Sequence, residues 1–368
     1  MKQPVKMTLL ATAVAALMSG TVSAQSNQVR VYNWSDYIAE DTLSNFTAAT
    51  GIRVIYDVFD SNEVLEAALL SGRSGYDLVV PSNHYVTKQI SAGAFAKLDH
   101  SKLPNMKHLD PVLMKQLADV GASSDYAIPY LWGTNGFGYN EARVLSILGE
   151  DAPVDSWALL FDPAITAKLA AGGCGISMLD SGEEMLPAAL AYLGMNPNSN
   201  ETRDLEKAAE VISKVRRHVT YFHSSRYISD LANGEICVAA GYSGDIFQAA
   251  DRAEEAENGN VIIYTIPKEG AALWFDMMAI PADAPNKDNA HALINFLLEP
   301  EVIAEITDYV MYANPNKTAN SLVDEEIFND PSIYPTEEVL AKLYIAKERP
   351  LATQRVITRA WNRVKSGR

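Results

Sequence analysis

Tyr76-Asp77-Leu78-Val79-Val80-Pro81 is an apolar run of strand length closed by a proline. An apolar run without polar alternation belongs to a strand covered on both faces, as in a sheet flanked by helices. Upstream, residues 29–33 alternate as a strand. Residues 41–50 place Leu43 and Phe46 at helical spacing, with Asp41 as the cap and Gly51 as the stop. Residues 52–59 are β-branched and aromatic, hence strand. Residues 61–70 read as a helix with Val64, Leu65, Ala68 and Leu69 on one face. Strand, helix, strand, helix, strand predicts an α/β domain built on a largely parallel sheet.

The pattern resumes after Tyr139. Strands are expected over 175–179, 236–241, 261–266 and 274–280. Helices are expected over 187–193, 204–215, 287–298 and 337–347. A basic tail follows, with Arg355, Arg359, Arg363, Lys365 and Arg368. Helix C-terminal charge and solubility account for it more simply than an anionic partner does. The chain shows no internal repeat and no low-complexity stretch, and its length suits two domains.

Three aromatic–acid couples stand at the edges of these strands: Trp34-Ser35-Asp36, Tyr242-Ser243-Gly244-Asp245 and Trp274-Phe275-Asp276. A carboxylate beside an aromatic face suits an organic cation leaving water. The acid offsets the charge, and the ring covers the methylenes and attracts the cation. Any one couple alone is ordinary at a strand end. Open α/β sheets bind ligands at the carboxyl ends of their strands, where Trp34, Asp36, Ser82, Tyr242 and Asp245 are expected.

The ends and the charge agree with export. Residues 1–24 read as a signal peptide: Lys2 and Lys6, an uncharged apolar run, then Val22-Ser23-Ala24. The run is too short to span a bilayer comfortably. Cleavage would take the formal net charge from −16 to about −18. That charge argues against a nucleic-acid partner and would steer cations inward. The two cysteines, Cys174 and Cys237, suggest one bridge in an oxidising compartment, with buried free thiols as the alternative. Neither has a histidine close by in sequence, so no zinc spacing arises, and no cofactor is expected.

The run Val31-Tyr32-Asn33-Trp34-Ser35-Asp36-Tyr37-Ile38 resembles the start of the periplasmic putrescine/spermidine-binding proteins. The segments Tyr76–Ser82, Gly133-Thr134-Asn135-Gly136, Ile266-Pro267-Lys268-Glu269-Gly270, Tyr312-Ala313-Asn314 and Thr358-Arg359-Ala360-Trp361 are similar too. The resemblance runs over essentially the whole mature chain. It implies a type II periplasmic binding fold, two α/β lobes joined by crossing strands and closing on ligand. Residues 28–133 and 272–308 would form the N-terminal lobe, and 134–271 and 309–368 the C-terminal lobe. It also implies a monomer in the periplasm that hands a polyamine to the permease subunits of an ABC importer.

Carried over by position, Trp34, Tyr242 and Trp274 would line the channel. Asp36 and Asp276 would hold one ammonium, and Glu184 and Asp245 the other charge. Ser35 and Ser82 would add hydrogen bonds, Tyr37 and Tyr312 would complete the box, and Cys174 and Cys237 match a disulfide of close relatives. Gly133 and Gly136 would serve closure at the first crossing. The chain departs from the family at Tyr242, where Trp is usual, and at Glu183 and His84, where small residues are usual. Trp274 stands where members carry Phe or Trp. The choice among a diamine, a triamine and a modified amine therefore stays open.

Other readings are poorly served. Glu183/Glu184 with Asp245 could be imagined as a carboxylate pair for glycoside hydrolysis, but paired acids usually face solvent. Gly241-Tyr242-Ser243-Gly244 only half matches a nucleophile elbow, and Gly133–Gly138 has the wrong glycine order for a dinucleotide site. The six histidines lack metal spacing. A basic amino acid would need an Arg or a helix N-terminus for its carboxylate, and no Arg lies in the matched site segments.

Overall fold

The computed structural model describes residues 27–367; the expected signal peptide lies outside the described residues. Among the described residues there are ten strands: β1 (Gln28–Trp34), β2 (Arg53–Phe59), β3 (Leu78–Val79), β4 (Ala127–Asn140), β5 (Ile176–Met178), β6 (Tyr221–Phe222), β7 (Val238–Tyr242), β8 (Ile262–Thr265), β9 (Ala272–Ala279) and β10 (Tyr344–Ile345). They form one path, β2-β1-β3-β9-β4-β7-β5-β6, with β10 on β9 and β8 on β4.

The deciding run behaves as its pattern requires. Leu78 and Val80 enter one apolar cluster with Val29, Val31 and Ile128. Val79 enters the cluster on the other face, with Phe59, Leu65 and Phe275. The ladder is shorter than expected, only Leu78–Val79. The outer strands are parallel, as expected: β2 and β3 both pair β1, and β6 and β7 both pair β5. The centre is antiparallel, because β4 and β9 run between the lobes in opposite directions.

β4 is the element that the sequence pattern did not announce. All fourteen of its residues are buried. Its first half, through Thr134, pairs β9; from Asn135 it pairs β7, and from Phe137 also β8. One strand therefore belongs to two sheets, and the boundary between lobes falls within it. Gly133 and Gly136 owe their place to close approach. A Cβ on Gly133 would lie 2.9 Å from both Ser243 Oγ and the Trp274 ring, and one on Gly136 2.2 Å from the Thr265 carbonyl oxygen.

Several local expectations need correction. Val64 is 46% exposed, so the helix Asn62–Leu70 buries Leu65 and Leu69 without it. Asp41 precedes Thr42–Thr50 but makes no capping bond, whereas Gly51 ends that helix at φ +73° as expected. The helix expected over 187–193 begins earlier, as Gly182–Tyr192. Pro187 still lies near its start, so its missing N–H removes a single bond to the first turn. Residues 337–347 do not form one helix. Only Glu337–Leu340 is helical, and the chain then adds β10 to β9.

The C-terminal segment also divides differently. Residues 311–345, expected in the second lobe, pack largely on the first. Ala313 and Ile333 enter one of its clusters, and Ala319 and Val323 the other. The last helix, Leu351–Ser366, returns to the second lobe and buries Ile357, Ala360, Trp361 and Val364. Arg355, Arg359 and Arg363, read as part of a basic tail, lie on its exposed side, and Lys365 pairs with Asp180 at 2.6 Å; Arg368 lies outside the described residues. The second lobe is cross-linked by Cys174–Cys237, with Cα atoms 5.3 Å apart.

Candidate functional site

The two lobes face each other across a cleft of about 820 Å³, its open mouth included. Trp34 ends β1, and Ser82 begins the helix Asn83–Ser91. Asp276 lies in the middle of β9 and bridges to Ser82. From the second lobe, Tyr242 ends β7 and Asp245 sits in the first turn of the helix Ser243–Glu255. Glu184 occupies the first turn of Gly182–Tyr192. A helix N-terminus favours these two acids by its dipole. Tyr312 follows the helix Pro300–Val310, which ends at Met311 in the left-handed region.

The rings form a connected box. Trp34 and Tyr242 have centroids 6.2 Å apart, Tyr242 and Trp274 5.9 Å, Trp274 and Tyr312 5.4 Å, and Tyr312 and Tyr37 5.0 Å. All four contacts are edge-on, which turns ring faces toward a shared space. The indole N–H groups point away from that space: Trp34 donates to the Val80 carbonyl at 2.9 Å and Trp274 to Asn135 Oδ1 at 2.8 Å.

Three carboxylates sit among these rings, Asp245 and Asp276 buried and Glu184 partly so. Asp276 accepts the Ser82 hydroxyl at 2.6 Å. Asp245 accepts the Tyr227 hydroxyl at 2.6 Å and the Tyr312 hydroxyl at 2.7 Å. Glu184 accepts the Tyr242 hydroxyl at 2.9 and 3.0 Å. Every one of these donors is neutral, and among the described residues none of the three acids makes a salt bridge. Burial pushes the Glu184 carboxyl up to about 8 and those of Asp245 and Asp276 up to about 7, against the hydroxyl bonds that favour ionisation. The Tyr37 hydroxyl is buried beside Asp276, and burial together with that carboxylate holds it well above its ordinary value.

Ten of the eleven expected ligand residues line this cleft: Trp34, Ser35, Tyr37, Ser82, Glu184, Tyr242, Asp245, Trp274, Asp276 and Tyr312. Asp36 does not. Its exposed carboxylate pairs with Arg252 at 2.8 Å, its carbonyl accepts Gln248 Nε2, and its φ is +52°. That left-handed turn sends the side chain across to the second lobe instead of into the slot. Of the two further candidates, Glu183 faces the cleft and not solvent, with Arg349 Nε 3.3 Å away. His84 also lines it, held neutral with its value lowered to about 4 by burial and by Arg349.

Sequence reasoning missed Tyr227, Arg349, Tyr344 and the role of Asn135. Tyr227 is fully buried, donates to Asp245 and accepts the Tyr242 N–H. It opens the short helix Tyr227–Ala232, and nothing in its local sequence marks it. Asn135 stood in a quoted motif, so that signal was present.

The profile of the bacterial extracellular solute-binding protein family matches residues 42–336. The chain is 56% identical to the putrescine-binding periplasmic protein SpuD of Pseudomonas aeruginosa, over 98% of each chain. It is 50% identical to the putrescine-binding periplasmic protein PotF of Escherichia coli, over 98% of this chain and 97% of that one. A solved structure described as a putative spermidine/putrescine ABC transporter from Listeria monocytogenes superposes with a TM-score of 0.82. It is 34% identical and is matched over 93% of this chain and 100% of that one. The expected type II periplasmic binding fold is borne out. With its two lobes, shared crossing strand and acid-lined aromatic cleft, the chain belongs to the bacterial extracellular solute-binding proteins.

Proposed function

We propose that this protein captures a short aliphatic polyamine in the periplasm and delivers it to an ABC importer, without catalysing a reaction. The observation that carries the reading is the trio Glu184, Asp245 and Asp276. Asp245 and Asp276 are buried and Glu184 is largely so; all three have neutral donors and no salt-bridge partner among the described residues and line the cleft with the rings. Such groups are costly to ionise in a water-poor cleft without a cation beside them. A guest bearing two or more ammonium groups supplies the missing charge. An aliphatic amine with a lysine-like value near ~10 is charged at neutral pH.

The energetics suffice. Each ammonium–carboxylate contact has a gross attraction of about 4 kcal/mol at an effective dielectric of ~20, part of it returned by desolvation. Ring contacts add about 0.5–2 kcal/mol each, and each buried methylene about 0.8 kcal/mol. A micromolar complex needs about 8 kcal/mol in all. The names of the similar proteins point to putrescine among such amines.

The test is a titration by calorimetry and thermal shift with putrescine, cadaverine, spermidine, spermine, agmatine, arginine and lysine. Saturable one-to-one binding of at least one oligoamine at micromolar or tighter affinity, with weaker binding of the amino acids, is expected. Absence of binding by every oligoamine overturns the reading.

A further inference from the structure

One end of the cleft carries a cation of its own. Arg349 is 7% exposed and lines the cleft together with Glu183, Tyr344 and His84. Its Nε lies 3.3 Å from the Glu183 carboxylate. Its two terminal nitrogens donate to the carbonyls of Ser199, at 2.6 Å, and Pro197, at 2.8 Å. The guanidinium is therefore fixed by three partners and is not a loose surface charge. Lys347, also on the cleft wall, adds a second positive group on the same segment. Glu183 and Glu184 are adjacent in the chain, yet they differ in one respect: Glu183 has an internal cation and Glu184 has only a phenol.

We propose that Arg349 is a length gate: it neutralises Glu183 and holds a permanent positive charge at the Glu184 end of the cleft, so that diamines are favoured over longer polyamines. This rests on the polyamine reading above. A diamine places its charges among Glu184, Asp245 and Asp276. A triamine extended past Glu184 brings a further ammonium toward a guanidinium whose counter-ion is already engaged. Tyr344 lines the same part of the cleft and feels both Arg349 and Glu184. His84 offers no compensating charge, because burial and Arg349 keep it neutral. Like-charge juxtaposition of this kind is a common source of discrimination.

The test compares putrescine with spermidine by calorimetry on the full mature chain. The parent should prefer the diamine by at least about tenfold. Arg349→Gln should shrink that preference by about tenfold through a gain in triamine affinity, because Glu183 loses its internal cation and becomes available to pair with the third ammonium. Arg349→Lys should keep the parent's preference, which a merely structural role of the guanidinium fork would not predict. Glu183→Gln should move the ratio the opposite way, by about three- to tenfold, because the guanidinium loses its neutralising partner. It also serves if Arg349→Gln does not fold. A ratio unchanged within twofold in Glu183→Gln and in any folded Arg349→Gln protein overturns the length gate while leaving the polyamine reading intact. Failure of the parent to bind any oligoamine removes both.

Discussion

Replacing Asp245 by Asn keeps the shape of the side chain and removes its charge, which separates the cost of that charge from its use. Burial is the chief reason this carboxyl is raised from 3.8 to about 7. At 1.36 kcal/mol per pH unit, that is about 4 kcal/mol against the ionised form. This is a ceiling, since lobe opening rehydrates the group. The bound ammonium reverses the balance. A hydrogen bond to a charged group is worth about 1.5–3 kcal/mol net, so its loss should weaken diamine binding roughly 10- to 150-fold. The variant should thus bind more weakly and, without ligand at pH 8, melt as high as the parent or a few degrees higher. Tyr227 and Tyr312 can rotate their hydroxyls to meet the new amide, so the fold should persist. Calorimetry gives the affinity and differential scanning fluorimetry the melting temperature. Asp245→Asn binding putrescine within threefold of the parent, with normal melting, would falsify the assignment of Asp245 as a charge partner of the guest.

Other perturbations have distinct signatures. Trp274→Ala should weaken binding about 3- to 30-fold through loss of a ring contact worth about 0.5–2 kcal/mol; affinities equal to the parent's for every polyamine would refute that. For acids whose folded value is raised, stability is fully present below the unfolded value near 4 and is lost as pH rises through about 7–8. The ligand-free melting temperature should therefore fall between pH 5 and 9, and the increment given by putrescine should grow. A pH-independent increment would contradict this. Asp36→Ala removes an inter-lobe ion pair whose partners are 41% and 40% exposed, a class worth about 0–1 kcal/mol. Affinity should fall less than fivefold, mostly through faster dissociation and less so in high salt; a hundredfold loss would return Asp36 to the ligand shell.

The sequence made the first lobe's rhythm legible because its apolar periods are short and local. Leu78, Val79 and Val80 reveal a two-faced strand without reference to anything distant. β4 was less legible because Tyr130, Trp132, Thr134 and Asn135 carry no single period; its faces are buried by two different sheets. The last helix was read as a tail because Arg355, Arg359 and Arg363 draw more notice than Ile357, Ala360 and Val364, which sit three and four apart. In the site, Tyr242 and Asp245 do fall at the end of β7, where strand-end reasoning put them, whereas Trp274 and Asp276 reach the cleft from the middle of β9. Asp36 was not, because its backbone turn, at φ +52°, is invisible to residue type. Arg349 escaped because it meets Glu183 from a distance of more than 160 positions along the chain, through a fold that no local pattern encodes.

The dual membership of β4 has a consequence for how such a molecule tolerates change. A one-residue insertion between Thr134 and Asn135 would leave the upstream ladder with β9 in phase, yet would turn every downstream side chain of the strand to its opposite face. Phe137 and Tyr139 would then exchange orientation with Gly136 and Gly138. Away from the crowded glycines, substitutions that keep the packing can be absorbed on either side of that junction, whereas its length is locked, so lineages of this architecture should vary in residue identity there without ever gaining or losing a position.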